Sequence, residues 1–117
     1  MISVIVPVYN AEKTIKQCLE KIIRECKNLE SEILVIDDAS TDTTVKIIET
    51  FENIKLFKFE INLGVGHARN KGAEEAKYEN LCFVDADIRI SDGSIKNMLE
   101  RLEKDDVTGS VSATQDL

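Results

Sequence analysis

The chain has 117 residues, 22 acidic and 15 basic, for a formal net charge of −7, with 43% hydrophobic residues, three cysteines and one histidine. That length supports one domain with a real core, and the apolar content excludes a disordered acidic tail. The acidic balance excludes a general nucleic-acid binder, which needs a basic stripe, but not a phosphate ligand, because a bound divalent cation inverts the local charge.

Ile2–Val6 is a β-branched run closed by Pro7. It has no basic region or cleavage site and is too short to span a bilayer, so it is predicted as a buried first strand. Asn10 is a predicted cap and Glu12 a first-turn acid for a helix whose Ile15, Cys18, Leu19, Ile22, Ile23 and Cys26 share one face. Ile33–Ile36 forms the second strand and ends in Asp37-Asp38; Ser40, Thr41 and Asp42 offer caps for a second helix with Val45, Ile48 and Phe51 inside. Ile54–Phe59 is the third strand. A turn at Asn62–Gly66 opens a helix through about Tyr78, whose Ala68, Gly72, Ala73 and Ala76 allow close packing on a sheet. Leu81–Val84 is the fourth strand and runs into Asp85-Ala-Asp87. Ser91 or Asp92 caps a helix with Ile95, Met98, Leu99 and Leu102 inside, and Val107–Ala113 begins a fifth strand.

Cys18 and Cys26 fall about 12 Å apart along a helix, too far to bridge, and Cys82 supplies no Cys-x-x-Cys pair. Buried thiols in a reducing cytoplasm are expected.

Alternating strands and helices with continuously apolar strands predict a doubly wound, mostly parallel α/β sheet with helices on both faces and a strand order near 3-2-1-4. Ligands bind such sheets beyond the carboxyl ends of the strands, at the switch in strand order. Here the switch falls between strands 1 and 4, with Asp37 and Asp38 ending strand 2 and Asp85 and Asp87 ending strand 4. Unpaired, these carboxylates repel, and Mg²⁺ or Mn²⁺ held jointly with substrate phosphates would relieve them. A plain capping role for Asp37–Asp42 remains open beside this. Gly64-Val-Gly66 is no dinucleotide fingerprint, since Arg69 stands where the third glycine belongs and the motif follows strand 3. It opens a helix whose amides could face a phosphate. Arg69, one turn in, suits an anion or a surface pair with Glu74 or Glu75. His67 is read as solvated or capping. Tyr9, at the end of strand 1, suits a planar base or plain packing.

Ile5–Asn10, Val35–Asp42, Asn62–Asn70 and Phe83–Asp87 together resemble the family-2 nucleotide-sugar glycosyltransferases, in the family's order and over most of the chain. The resemblance implies a GT-A fold and an inverting sugar transfer from a nucleoside-diphosphate sugar. By position, Pro7, Val8 and Tyr9 would line the nucleoside pocket. Asp38 would bind the base, Asp37 would support the turn, and Arg69 would approach the nucleotide. Asp85 and Asp87 would contact ribose and a metal, Mg²⁺ or Mn²⁺, that bridges the diphosphate. The acceptor (a saccharide, lipid phosphate or protein) and the catalytic base are expected to belong to a second half beyond Leu117, so residues 1–117 are expected to be the donor-binding part. The expected location is the cytoplasm or the cytoplasmic face of the membrane, with no nucleic-acid partner. Self-association through the surface of an incomplete sheet is also expected. Two other readings compete: a receiver-like phospho-acceptor signalling domain, which fits the length and the acids at strand ends, and a non-catalytic oligomerisation module.

Overall fold

The computed structural model describes residues 1–87, 90–104 and 110–113. Its elements are β1 (Ile2–Val8), α1 (Ile15–Glu25), β2 (Ser31–Asp37), α2 (Thr44–Ile48), β3 (Lys55–Lys58), α3 (Val65–Glu75), β4 (Leu81–Val84), α4 (Ser94–Lys104) and β5 (Ser110–Ala113). They build one parallel sheet in the order β3-β2-β1-β4-β5, the doubly wound arrangement expected from the alternation. The expected residues 107–109 of the fifth strand lie outside the described residues.

Strand alternation sorts the core. Ile2, Val4, Val6 and Val8 face α1, α2 and α4, packing with Ile15, Cys18, Leu19, Ile22, Ile48, Ile95 and Leu99. Ile5, Leu34 and Ile36 face α3 and pack with Ala68. A Cβ at Gly72 would lie 2.3 Å from Cγ2 of Ile5. The small residues of α3 therefore act as predicted, through Ala68 and Gly72; Ala73 is exposed. Ile23, expected inside, is exposed at the margin of the α1 stripe. None of the cysteines forms a disulfide, and all three are buried.

Pro7 does not close β1. The strand runs on to Val8, paired with Asp37 of β2. The backbone N–H groups alternate: Ile2 donates toward β2, to the Glu30 carbonyl, and Ser3 toward β4, to the Asn80 carbonyl. The nitrogen of Pro7 thus faces β4, where a missing donor is no loss to the β2 ladder. Pairing of β1 with β4 stops at Ile5 and Phe83. The two strands part beyond that rung, and a cleft begins there.

α1 starts at Ile15, behind Thr14, which makes no side-chain cap bond. Asn10 and Glu12 are therefore not its cap and first-turn acid. α3 ends at Glu75, short of Tyr78, because the amides of Lys77 and Tyr78 turn to Glu32 Oε2 and Ser3 Oγ. Ser3 Oγ in turn donates to Glu32 Oε2 at 2.6 Å, and Lys55 Nζ reaches Glu32 Oε1 at 2.7 Å, which knots the amino ends of β1, β2 and β3 together. Ser91 and Asp92 precede α4 by a turn: Gly93 adopts a left-handed φ of 76° with its amide on Glu25 Oε1, and Asp92 pairs with Lys21.

Candidate functional site

The parting of β1 and β4 opens a cleft of about 710 Å³ at the carboxyl ends of the strands. Pro7, Val8 and Tyr9 line one side; Arg69, Asp85 and Asp87 also line it. Tyr9 is 50% exposed, so its ring is available to a ligand. Between the two acids Ala86 is buried and anchors the turn after β4. Arg69 Nη2 donates to Asp85 Oδ1 at 3.3 Å, while Arg69 Nε is buried without a partner among the described residues. The pair Arg69 makes is thus across the cleft with Asp85, and not along its own helix with Glu74 or Glu75.

Asp37 and Asp38 do not line the cleft; they lie beneath its edge, 2% and 4% exposed. Asp38 accepts the amides of Leu63 (2.7 Å) and Gly64 (2.9 Å), and its own amide donates to the Val8 carbonyl. Gly64 is the N-cap of α3 and has a φ of 101°, which a glycine tolerates without strain. Asp38 thereby fixes where α3 begins and, one turn on, where Arg69 stands. Asp37 Oδ2 accepts the Ser40 amide at 3.1 Å, and its Oδ1 is buried with no partner among the described residues.

A loop-to-loop latch completes one wall. Asn10 donates its amide to Ser40 Oγ, and its Oδ1 accepts the Thr41 amide, both at 2.8 Å. Glu12 Oε2 accepts the Thr43 amide and hydroxyl, and the Ala11 amide donates to Thr44 Oγ1. Asp42 accepts from Thr44 and from the Glu12 amide. Desolvation pushes the Asp42 carboxyl up, but the bonds from the Thr44 hydroxyl and amide and from the Glu12 and Asp42 amides together outweigh it and hold it below its ordinary value. Ser40 and Thr41 are thus not helix caps; of the expected three, Asp42 alone meets the first turn of α2. The latch sets two non-glycine residues in the left-handed region, Asn10 (φ 48°) and Ala39 (φ 66°). Asn10, Glu12, Lys13, Thr14, Asp42 and Val65 line the cleft and were not among the expected site residues. For Lys13 and Thr14 a signal existed, since any loop leaving the carboxyl end of β1 borders the switch point.

Acidic Glu12, Asp42, Asp85 and Asp87 share the cleft with basic Lys13 and Arg69. Beneath it, burial pushes the Cys18 thiol up to about 12, with Asp87 and Asp85 adding to the shift. Such a thiol is no nucleophile. His67 is exposed and outside the cleft, as expected of a solvated residue. Among the described residues no group of three His, Cys, Asp or Glu side chains could enclose a metal. Asp85 and Asp87 supply hard oxygen donors that fit a cation taking the rest of its shell from phosphate oxygens.

Residues 3–116 match the family model described as glycosyl transferase family 2. The chain is 34% identical over 114 residues to poly-β-1,6-N-acetyl-D-glucosamine synthase of Staphylococcus epidermidis, which covers 95% of the chain and 27% of that protein. It superposes on S. aureus TarS 1–349 in complex with UDP-GlcNAc with a TM-score of 0.77 and 34% identity, over 88% of the chain and 31% of that structure. It also superposes on the mannosyltransferase PcManGT of Pyrobaculum calidifontis, in complex with GDP-Man and Mn²⁺, with a TM-score of 0.78 and 29% identity, over 86% and 32%. The chain therefore spans roughly a quarter to a third of the length of each.

Proposed function

The chain belongs to glycosyl transferase family 2, and from that premise we propose that it is the donor-binding part of an enzyme that transfers a sugar from a nucleoside-diphosphate sugar to an acceptor, with inversion. One observation carries the reading. Arg69 stands against Asp85 in a cleft walled by Pro7, Val8 and Tyr9, where β1 and β4 part.

Each residue has a task there. Tyr9 offers a half-exposed ring to the planar base. Asp38, tied to the Val8 carbonyl beneath the edge of the cleft, would accept a base N–H on the lone pairs that the Leu63 and Gly64 amides leave. Asp37 supports the Ser40 turn. Arg69 presents unused N–H groups to the anionic diphosphate. Asp85 and Asp87 would hold Mg²⁺ or Mn²⁺ together with diphosphate oxygens. When bound, that ion supplies Lewis-acid neutralisation of the charge on the departing nucleoside diphosphate. The cleft residues then orient the donor so that one face of the sugar stays open to the acceptor hydroxyl. The complexes of TarS with UDP-GlcNAc and of PcManGT with GDP-Man and Mn²⁺ support a nucleotide ligand of this class.

Calorimetric titration of UDP and GDP into the protein, with and without Mn²⁺, tests the reading. One of them is expected to bind, more tightly with Mn²⁺, and Arg69→Ala to weaken it about tenfold, the worth of one charge-assisted hydrogen bond. A folded protein that binds neither nucleotide refutes it. Self-association is proposed through the sheet face beside α3, where Leu81 and Phe83 are half-buried. A single monomeric species by sedimentation at high concentration would contradict that part.

A further inference from the structure

Asp85 has two suitors in the reading above, the Arg69 guanidinium and the divalent cation. The contact with Arg69 is a weak one. It is a single N–H at 3.3 Å, with the two side chains 42% and 40% exposed, whereas a well-made guanidinium–carboxylate pair is a bidentate fork at 2.7–2.9 Å. Arg69 Nε, meanwhile, is buried with no acceptor among the described residues, an arrangement that leaves a donor unsatisfied there. The base of the side chain is nonetheless well placed, because Asp38 pins Leu63 and Gly64 at the start of α3. Arg69 is therefore a fixed stem with an incompletely satisfied head.

We propose that Arg69 is a placeholder cation on Asp85, and that the diphosphate, by drawing the guanidinium onto itself, frees this carboxylate for the metal. This inference rests on the proposed function and adds to it a linkage. Nucleotide and metal favour each other's binding through a change of partner at Asp85, over and above the direct contact between metal and phosphate. By thermodynamic reciprocity each tightens the other by the same factor.

The test needs no enzymatic turnover. Mn²⁺ is titrated into the wild type, Arg69→Gln and Lys13→Gln, with and without UDP, and free Mn²⁺ is read from its electron paramagnetic resonance signal. Lys13 lines the same cleft and controls for the general loss of a positive charge. Arg69→Gln is expected to bind Mn²⁺ alone about two- to fivefold more tightly, the fold-change equivalent of an exposed ion pair, and the factor by which UDP tightens Mn²⁺ is expected to shrink. Lys13→Gln is expected to change both by less than half as much. Unchanged or weaker Mn²⁺ binding by Arg69→Gln overturns the proposal. So does an equal gain in Lys13→Gln, which would reduce the effect to the general field of the cleft, or the absence of Mn²⁺ binding in all three proteins. Wild-type protein that binds Mn²⁺ but neither UDP nor GDP refutes the donor-site reading itself, a separate outcome.

Discussion

Replacing Gly72 with alanine sets two effects of opposite sign against each other. On propensity alone an interior helical glycine is about 1 kcal/mol worse than alanine, so the change would stabilise α3. Packing opposes it. The new Cβ would lie 2.3 Å from Ile5 Cγ2, 3.2 Å from Cγ1 and 3.3 Å from Cβ. Ile5 is fully buried in the central strand and branches at Cβ, so it has little freedom to turn away. Overpacking of this kind costs about 1–3 kcal/mol, and contact this close belongs at the upper end. The net expectation is a loss of about 2 kcal/mol, measured as a lower urea midpoint at unchanged slope. Ile5→Ala supplies the internal check. Alone it should cost about 3 kcal/mol through the cavity it leaves. Combined with Gly72→Ala it should cost at least 1 kcal/mol less than the two separate losses together, because the added methyl enters the vacated space. A Gly72→Ala protein as stable as the wild type, or additivity in the double variant, would show that α3 does not press on β1 as described.

Three other outcomes are expected. Desolvation raises the Glu32 carboxyl, yet bonds from Lys55, Ser3 and the Lys77 amide more than offset it and hold its value below the ordinary 4.5. Its stabilisation is therefore fully present above that value and is lost as pH falls through the lower folded one. Since the side chain is 8% exposed but its partner Lys55 is open to solvent, Glu32→Gln should cost about 1–2 kcal/mol at neutral pH and progressively less below pH ~4; a pH-independent difference in denaturation midpoints would contradict this. Ala39→Gly should stabilise by about 0.5–1 kcal/mol, because φ 66° strains alanine and not glycine; a lower melting temperature would argue against that strain. Cys18, with its thiol pushed up to about 12, should resist iodoacetamide at pH ~8 until the protein unfolds, and rapid native labelling mapped to Cys18 would refute its placement.

The strand order and the switch point were legible in the sequence because each strand is a continuous apolar run and each helix shows its face. Tyr9, Asp85 and Asp87 were legible for a related reason, since strand ends place them, and Arg69 through its place one turn into α3; Pro7 and Val8 were named through the family resemblance. The partners of these residues were not. Asn10 and Glu12 look like the cap and first-turn acid of the next helix, yet their hydrogen bonds reach about 30 positions onward, to Ser40–Thr43. No local rule carries that distance. Asp38 has the same history, each of its carboxylate oxygens engaged by an amide 25 or 26 residues away. Pro7 misled in another way. Whether a proline ends a strand depends on which neighbour its nitrogen faces, and that is known once the register of both neighbours is known.

The position of Pro7 also has a mechanical consequence. β1, β2 and β3 form one slab, β4 and β5 another, and the seam between the slabs is laced at its amino end, from Ser3–Leu81 to Ile5–Phe83. From the last rung to Val8 is three residues, a lever of about 10 Å at a strand's rise per residue. A relative rotation of about 5° between the slabs would shift the cleft wall at Val8 by about 1 Å. The fork set by one missing N–H thus converts a small shear in the core into a change of width where a nucleotide would sit.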